Sequence, residues 1–195
     1  MLVTTRTQLI AGEREVAGSV GALRTLGNAQ GDLRPAFDAF RDTVALVHKE
    51  ADRVRVEAED MRAASSMFTT TWKSEVATIQ NQRLRDAAET RAGEVRDRYD
   101  QIDTLYAEAN SAFATYLTNC EDLKTYLAND LNFPALVTAQ PWVKQAQSAG
   151  ETLRAKLRQL ATELGETTNV LSPVPVPQYQ QTTTTRASTS PTAAP

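Results

Sequence analysis

The residue types that do acid–base, nucleophilic or metal chemistry are sparse in this sequence, and their spacing does not fit the common catalytic motifs. His48 is the only histidine. A di-iron helical bundle requires an acid three residues before such a histidine, and Ala45 occupies that position. No nucleophile turn and no glycine-rich phosphate loop is present. We therefore predict no catalytic residue, no metal site and no cofactor, and we predict that the protein is not an enzyme.

Two further features could support chemistry but are better explained by packing. Cys120 is the only cysteine, so it cannot form a disulfide within the chain, and it falls on an apolar stripe where a small buried side chain is expected. Trp72 and Tyr99 could line an aromatic ligand site. Each is predicted to face a small residue across a helix pair, and this matching favours a packed core over a ligand site.

Five arginines lie close together just after residue 81, with acidic residues interspersed among them. They are Arg83, Arg85, Arg91, Arg96 and Arg98. Arginine is enriched at protein–protein interfaces, so the cluster predicts an interaction surface. The alternative is that these charges only keep an exposed helical hairpin in solution. The sequence leaves both interpretations open.

The elements that carry these residues are predicted from the apolar repeat. In two long stretches, one including Phe68 and the other Leu84, Cys120 and Leu127, apolar residues recur mostly at alternating steps of four and three. The last helix shows the same steps from Val143. We call these recurring apolar residues the seam. That 3.5-residue period is typical of a helix packed along a partner helix. We predict an all-α fold built on a long antiparallel coiled-coil hairpin, with helices at about 33–80 and 82–128 and a turn near Asn81.

Large residues face small ones when the chain is folded back at this turn. Trp72 then lies opposite Ala92, and Ser65 lies opposite Tyr99. Such alternation fills the space between two helices without voids. Both arms also interrupt the repeat at the same height near the turn, which two independent helices would have no reason to share. We predict this pairing of the two arms.

Two further helices, at about 2–26 and 141–170, flank the hairpin. Pro134–Gln140 is expected to form a short separate helical segment, with Pro141 opening the last helix. At 1.5 Å per residue, the flanking helices are about 38 and 45 Å long, against roughly 70 Å for each arm of the hairpin. We therefore predict a four-helix base from which the end of the hairpin, residues 65–98, projects as a two-stranded coiled coil. We call residues 65–98 the tip.

A change in composition divides the chain into a helical domain, residues 1–171, and a tail, residues 172–195. The tail carries Pro173, Pro175 and Pro177, and then mainly glutamine and threonine. It has too little apolar surface to offset the entropy of ordering a chain. We predict that the tail is disordered.

The charge pattern bears on the class of partner. The net charge is −3 and the signs are interspersed, so the basic footprint of a nucleic-acid-binding protein is missing and we predict no nucleic-acid partner. No apolar run reaches the roughly 18 residues of a membrane helix, while contact with a membrane surface is left open. The amino terminus lacks the regions of a signal peptide, so the protein is expected to be cytoplasmic or a trimmed, mature form.

Several residues in and beyond the tip carry a resemblance to a known family. They are Phe68 and Trp72, Leu84-Arg85 through Arg91, Arg98-Tyr99, and the segment from Leu123 to Leu131. With these residues the chain resembles an uncharacterised bacterial family catalogued as a domain of unknown function, DUF2959. Its members look like secreted or lipid-anchored helical proteins of the cell envelope. The resemblance implies a periplasmic or envelope location, and it implies no functional residue because the family has no established activity.

These observations lead to one functional prediction and one alternative. We predict a non-catalytic structural or protein-interaction protein that uses its coiled coil to bind a protein partner or a second copy of itself. The alternative is a membrane-remodelling or pore-forming helical module, because such modules also use long helical hairpins.

Overall fold

A computed structural model describes residues 2–171, and these residues form four α-helices with no strand among them. The helices are α1 (Leu2–Gly27), α2 (Arg34–Val76), α3 (Gln82–Asn129) and α4 (Phe133–Leu171). The predicted all-α fold is confirmed. The tail predicted to be disordered, residues 172–195, lies outside the described residues.

The four helices form an up-down-up-down bundle. Consecutive helices are neighbours, and α4 closes the ring by packing on α1, so that α1 faces α3 and α2 faces α4 across the core. The contacts between α1 and α2 illustrate the antiparallel order. Thr5 hydrogen-bonds to Glu57, whereas Gly12, further along α1, lies against Glu50, which comes earlier on α2.

Helix α4 is longer than the sequence predicted, because the helix runs through Pro141 instead of beginning there. A proline inside a helix removes one backbone hydrogen bond, here the one that would reach the carbonyl of Val137. Pro141 and Val137 are both exposed, so water can bind the freed carbonyl. On the opposite face, Leu136 and Val143 belong to one continuous buried stripe. Burial of that stripe keeps the two halves in a single helix.

The additional length of α4 changes how many helices surround the hairpin near the tip. Helix α1 begins at Leu2, one turn beyond Thr5, which hydrogen-bonds to Glu57 of α2, so α1 stops well short of the turn between α2 and α3. Helix α4 has 39 residues, or about 58 Å, and continues upward along α3. The Nη2 atom of Arg91 donates a hydrogen bond to the carbonyl of Val170 at 3.0 Å. The prediction that both flanking helices cover only the base was therefore wrong for α4, which also covers the lower part of the tip on the α3 side.

The turn between α2 and α3 lies close to its predicted position. Helix α2 ends at Val76, four residues earlier than predicted, and the chain then tightens through a hydrogen bond from the amide of Ile79 to the carbonyl of Val76 at 3.1 Å. Asn81 is the N-cap of α3, because its side-chain oxygen accepts a hydrogen bond from the amide of Leu84 at 3.2 Å. A side-chain cap of this kind holds the start of α3 in place.

Packing between the two arms is thinner in the tip than in the base. Val76 and Val95 are buried, but Phe68 is 44% exposed and Leu84 is 62% exposed, although both belong to the predicted seam. Trp72 is half-buried, and its ring meets Phe68 edge-to-face at a centroid distance of 5.1 Å. Two helices alone cannot enclose large side chains that four helices would surround.

Contacts between α2 and α3 bear on the predicted register of the two arms. Arg62 pairs with Asp103 at 2.6 Å, and Ser65 and Tyr99 line the same cleft. These contacts place Ser65 at the height of Tyr99. The interdigitation of a coiled coil along the whole hairpin, including a contact between Trp72 and Ala92, stays a prediction.

The centre of the base is built around a tyrosine that spans the core. Tyr116 of α3 is fully buried, and its hydroxyl donates a hydrogen bond to Ser19 Oγ of α1 at 2.9 Å. The ring passes beside Gly150 of α4, where an added Cβ would lie 2.9 Å from Tyr116 Cε2 and 2.4 Å from Val20 Cγ2. Gly150 is therefore the position that lets α1, α3 and α4 approach one another.

The pairing of α1 with α4 predicts how stability depends on pH. Glu13 Oε1 accepts hydrogen bonds from Arg154 Nε at 2.8 Å and from Arg158 Nη2 at 3.0 Å. Burial by itself raises the pKa of Glu13, but the hydrogen bonds and charges of the two arginines outweigh it, and the pKa is lowered from its ordinary value of 4.5. The carboxylate therefore stabilises the fold above the unfolded-state pKa, and this stabilisation is lost as the pH falls through the lower folded-state pKa.

We expect Glu13→Gln to lower the free energy of unfolding by about 1 kcal/mol at pH 7 and by progressively less below pH 4.5. Urea titrations of both proteins across this range measure the difference. Glu166→Gln, the same substitution at an exposed position of α4, is the control and should match the wild type at every pH. A difference between Glu13→Gln and the wild type that persists unchanged at pH 3 would contradict the assignment.

Candidate functional site

The five arginines predicted to form an interaction surface have different surroundings in the tip. Arg85 donates to the carbonyl of Ile79 from Nε at 2.9 Å and from Nη2 at 2.6 Å, which closes the turn between α2 and α3. Arg91 binds Glu94 at 2.9 Å as well as the carbonyl at the end of α4. These two guanidinium groups hold the tip together.

The other three arginines differ in how much of their charge is compensated. Arg98 pairs with Glu163 of α4 at 3.6 Å. Arg96 lies 3.6 Å from the adjacent Asp97, and both are well exposed. Arg83 is exposed and forms no ion pair with any residue in the range 2–171. Arg83 and Arg96 are therefore the two members of the set that are most available to a partner, and the role of all five as an interface stays a prediction.

These contacts predict different effects for two adjacent charge-removing substitutions. Arg85→Gln removes a doubly hydrogen-bonded guanidinium from the turn, which is worth about 1 kcal/mol for a partly exposed group. We expect amide hydrogen exchange at residues 77–88 to become roughly fivefold faster in Arg85→Gln. Arg83→Gln removes the same charge without a hydrogen bond and should leave exchange unchanged. Equal exchange in the two variants would show that Arg85 does not hold the turn.

Exposed apolar side chains are the other distinctive feature of the tip. Met67 is 73% exposed, and Phe68 and Leu84 are also well exposed. They lie on the part of the hairpin that α1 does not reach. Exposed hydrophobic residues on a surface with a polar rim mark interaction sites more often than isolated ones do.

A second candidate surface lies at the other end of the bundle, between α3 and α4. A groove of about 220 Å³ runs between the two helices. It is lined by Asn119, Asp122, Leu123, Tyr126, Thr138, Ala139 and Trp142. Trp142 is 54% exposed and Tyr126 is 41% exposed, one on each helix. We call these seven residues the aromatic groove.

The aromatic groove was not predicted from the sequence, although a signal for it exists. Tyr126 lies immediately before the seam residue Leu127, and Trp142 lies immediately before the seam residue Val143. Both aromatic residues therefore fall outside the buried stripe of their helix. Because α3 and α4 are antiparallel neighbours, the two positions lie at similar height and on the same side of the bundle. Large off-stripe aromatics on adjacent helices are the pattern to look for.

His48 takes part in a hydrogen bond at the surface. Its Nε2 lies 3.0 Å from Glu121 Oε1, and Glu121 also binds Lys124. Burial acts to raise the pKa of Glu121, but the hydrogen bonds from Lys124 and His48 outweigh it and lower the pKa. The histidine thus joins α2 to α3 through a carboxylate.

Cys120 lies in the core, as predicted from its position on the seam. Its side chain is fully buried next to Tyr116. Burial raises the pKa of the Cys120 thiol to about 12, and it raises the pKa of Tyr116 as well. A thiol with so high a pKa is protonated at neutral pH and is a poor nucleophile. Cys120 acts as a small apolar side chain in this fold.

One buried carboxylate was not predicted from the sequence. Glu50 of α2 is buried against Gly12 of α1, and its Oε1 accepts a hydrogen bond from Arg53 one turn later. Its Oε2 is buried without a hydrogen-bond partner among residues 2–171. The pair is local to one helix.

Within residues 2–171, no group of three or more histidine, cysteine, aspartate or glutamate side chains is placed to hold a metal ion. None of the four helices combines the length and the hydropathy that crossing a bilayer requires.

Comparison with known proteins gives one match. The family described as Protein of unknown function (DUF2959) matches residues 11–172, which includes most of α1 and all of α2, α3 and α4. No curated protein matches the chain, and no solved structure does either.

Proposed function

We propose that this chain, which belongs to the DUF2959 family of proteins of unknown function, is a non-catalytic interaction protein that binds a protein partner through its tip. The observation that carries the proposal is the incomplete enclosure of the tip. Where four helices enclose the base, α1 does not reach the end of the hairpin, and α4 covers only the lower part of the tip on the α3 side. A partner would supply the contacts that α1 and α4 supply below.

The chemistry of the tip favours a helical partner with an apolar stripe. Met67 and Phe68 on α2 and Leu84 on α3 offer apolar contact area. Amphipathic helices bind by laying an apolar face against such a surface. Arg83 and Arg96 of the same tip provide unshared or weakly shared positive charge, which suits acidic residues flanking the apolar stripe of the partner.

The compartment in which the partner is sought follows from the resemblance to envelope proteins. We propose the cell envelope, and in particular the periplasm, with the cytoplasm as the alternative. Fractionation of cells that express the untagged protein at its native level tests this part of the proposal. Recovery in the cytoplasmic fraction would overturn it without affecting the assignment of the tip.

Site-specific photo-crosslinking tests the role of the tip. A photoreactive amino acid replaces Phe68 in one variant and Leu84 in another, in the organism that encodes the protein. The control variants carry it at Val3 and Val56, which are exposed apolar positions of the base. We expect a discrete protein adduct from the two tip positions and none from the two base positions.

Three outcomes would overturn the proposal. Adducts of equal yield from tip and base positions would indicate non-specific contact, and an absence of adducts from the tip would indicate free surface. Adducts from the tip to lipid, together with sedimentation of the pure protein with vesicles at physiological salt, would instead support the membrane-remodelling or pore-forming alternative.

A further inference from the structure

The aromatic groove contains hydrogen-bond donors that the fold itself does not use. Trp142 Nε1 and the Tyr126 hydroxyl make no hydrogen bond within residues 2–171. Asn119 Oδ1 accepts a hydrogen bond from Gln145, but Asn119 Nδ2 is buried and has no partner among the described residues. The Asn119 amide nitrogen is enclosed, whereas the exposed Trp142 and Tyr126 donors are free to bind a ligand that carries acceptors.

The lining restricts what that acceptor can belong to. Leu123 and Ala139 make the floor apolar. Asp122 is exposed and adds a negative charge, which disfavours a carboxylate or a phosphate. The groove therefore suits an uncharged, partly apolar ligand that presents carbonyl oxygens and few donors.

A proline-rich peptide has this chemistry. Each proline lacks a backbone N–H but keeps its carbonyl, and proline-rich segments bind grooves lined by tryptophan and tyrosine. The chain itself contains such a segment, Pro-Val-Pro-Val-Pro at residues 173–177. Its two valines add apolar contact area, and none of its five residues carries a charge.

The length of the chain between α4 and this segment decides which groove it can reach. Trp142 and Leu171 are separated along α4 by about 44 Å at 1.5 Å per residue. Pro177 is only six residues beyond Leu171, and six extended residues span at most about 22 Å. The segment cannot reach the aromatic groove of its own chain.

A second copy removes this difficulty if it lies antiparallel to the first. The end of α4 in each copy then lies near the aromatic groove of the other, so a twofold axis brings both segments to both grooves at once. We propose that the aromatic groove binds residues 173–177 of a second copy of this chain, in a reciprocal, antiparallel dimer. The inference goes beyond the proposed function and uses no residue of the tip.

Two groups of variants of the full chain test the dimer by sedimentation equilibrium. Trp142→Ala removes the larger groove aromatic, and a triple variant replaces Pro173, Pro175 and Pro177 with serine. We expect each change to raise the dimer dissociation constant at least about tenfold, because each removes both copies of the contact. Phe133→Ala is the matched control, since Phe133 is 56% exposed on the same helix but does not line the groove.

Mixing the two variant proteins gives a sharper test. The triple-proline variant keeps its grooves, and Trp142→Ala keeps its proline segments, so a mixed pair can form one of the two contacts. We expect the mixed dimer to be tighter than either variant dimer and weaker than the wild-type dimer. Only an exchange of segments between copies predicts this recovery.

Several results would overturn the inference. A wild-type chain that stays monomeric, a dimer that neither variant weakens, or a mixture that dimerises no better than its components would each do so. An effect of Trp142→Ala without an effect of the triple-proline variant would assign the groove to a different ligand. Substituting Phe68 and Leu84 with glutamine should leave the dimer intact, so a failure of the tip proposal and a failure of this one are distinguishable.

Discussion

Replacing Gly150 with alanine is expected to lower the free energy of unfolding by about 2 kcal/mol, or the melting temperature by roughly 6 °C. The new Cβ would lie 2.4 Å from Val20 Cγ2 and 2.9 Å from Tyr116 Cε2, closer than non-bonded carbon atoms approach. Neither neighbour yields easily. Val20 is β-branched and stiff at χ1, and the ring of Tyr116 is anchored by its hydrogen bond to Ser19.

The expected loss of stability in Gly150→Ala is opposite in sign to the effect that helix propensity alone would give. Alanine is favoured over glycine in a helix interior by about 1 kcal/mol, and this gain offsets only part of the strain. Gly18→Ala on α1 is the matched control, because an added Cβ there meets nothing within 4 Å. Gly18→Ala should therefore raise stability by up to about 1 kcal/mol. Urea titration of both variants measures the difference, and a stabilising Gly150→Ala would contradict the packing described for the core.

A double substitution locates the strain. Val20→Ala by itself removes buried methyl groups and is destabilising. In combination with Gly150→Ala it also makes room for the new Cβ. We expect the combined loss to be smaller than the sum of the two single losses by at least about 1 kcal/mol. Simple additivity would mean that Val20 is not the group that Gly150 accommodates.

The same leucine-to-alanine change is expected to have very different effects in the base and in the tip. Leu160 of α4 is fully buried in the base, whereas Leu84 of α3 is 62% exposed in the tip. Leu160→Ala should lower the free energy of unfolding by about 3 kcal/mol, because it removes buried apolar area and leaves a cavity. Leu84→Ala should change it by less than about 0.5 kcal/mol.

The urea midpoint of each variant measures its loss of stability. The comparison is valid if the slope of unfolding free energy against urea concentration is unchanged, because an unchanged slope shows that the same surface is exposed on unfolding. Amide exchange supplies a second measurement. We expect amides of the tip near Leu84 to exchange through local opening, and those near Leu160 only through global unfolding. Similar losses of stability at the two positions would mean that the tip is packed as tightly as the base. That result would contradict the proposal that the tip is a surface for binding a protein partner.

The two proposed surfaces, the tip and the aromatic groove, depend on different features of the fold. The tip is partly uncovered because α1 begins at Leu2, one turn beyond the hydrogen bond between Thr5 and Glu57, and does not reach the end of the hairpin. The aromatic groove depends on two helices that are fully packed and differ from their neighbours only in which residues flank the buried stripe. A single chain can use both, since they lie at opposite ends of the bundle.

The sequence by itself determined the four long helices and the position of the turn, although it divided the last helix at Pro141. A 3.5-residue apolar repeat states which face of a helix is buried, and this is a local property that survives in the folded chain. The turn was predicted at Asn81, and Asn81 is the N-cap of α3. The burial of Cys120 followed from the same repeat.

The apolar repeat did not predict the features that depend on neighbouring helices. Pro141 is a local signal for a helix start, but burial of Leu136 and Val143 on one stripe outweighed it. Phe68 and Leu84 match the repeat and are nevertheless exposed, because burial requires a neighbour and α1 does not reach them. An apolar repeat predicts which side of a helix can be buried. Whether that side is buried depends on the lengths of the surrounding helices.

The tertiary structure also decided which charged and aromatic residues remain available. Arg85 and Arg91 looked alike in sequence to Arg83, yet their guanidinium groups bind backbone carbonyls of Ile79 and Val170. The second of these contacts joins residues 79 positions apart in the chain. Local pattern carries no information about such a pairing, because the free energy of a hydrogen bond depends on where two distant backbone segments meet in the folded bundle.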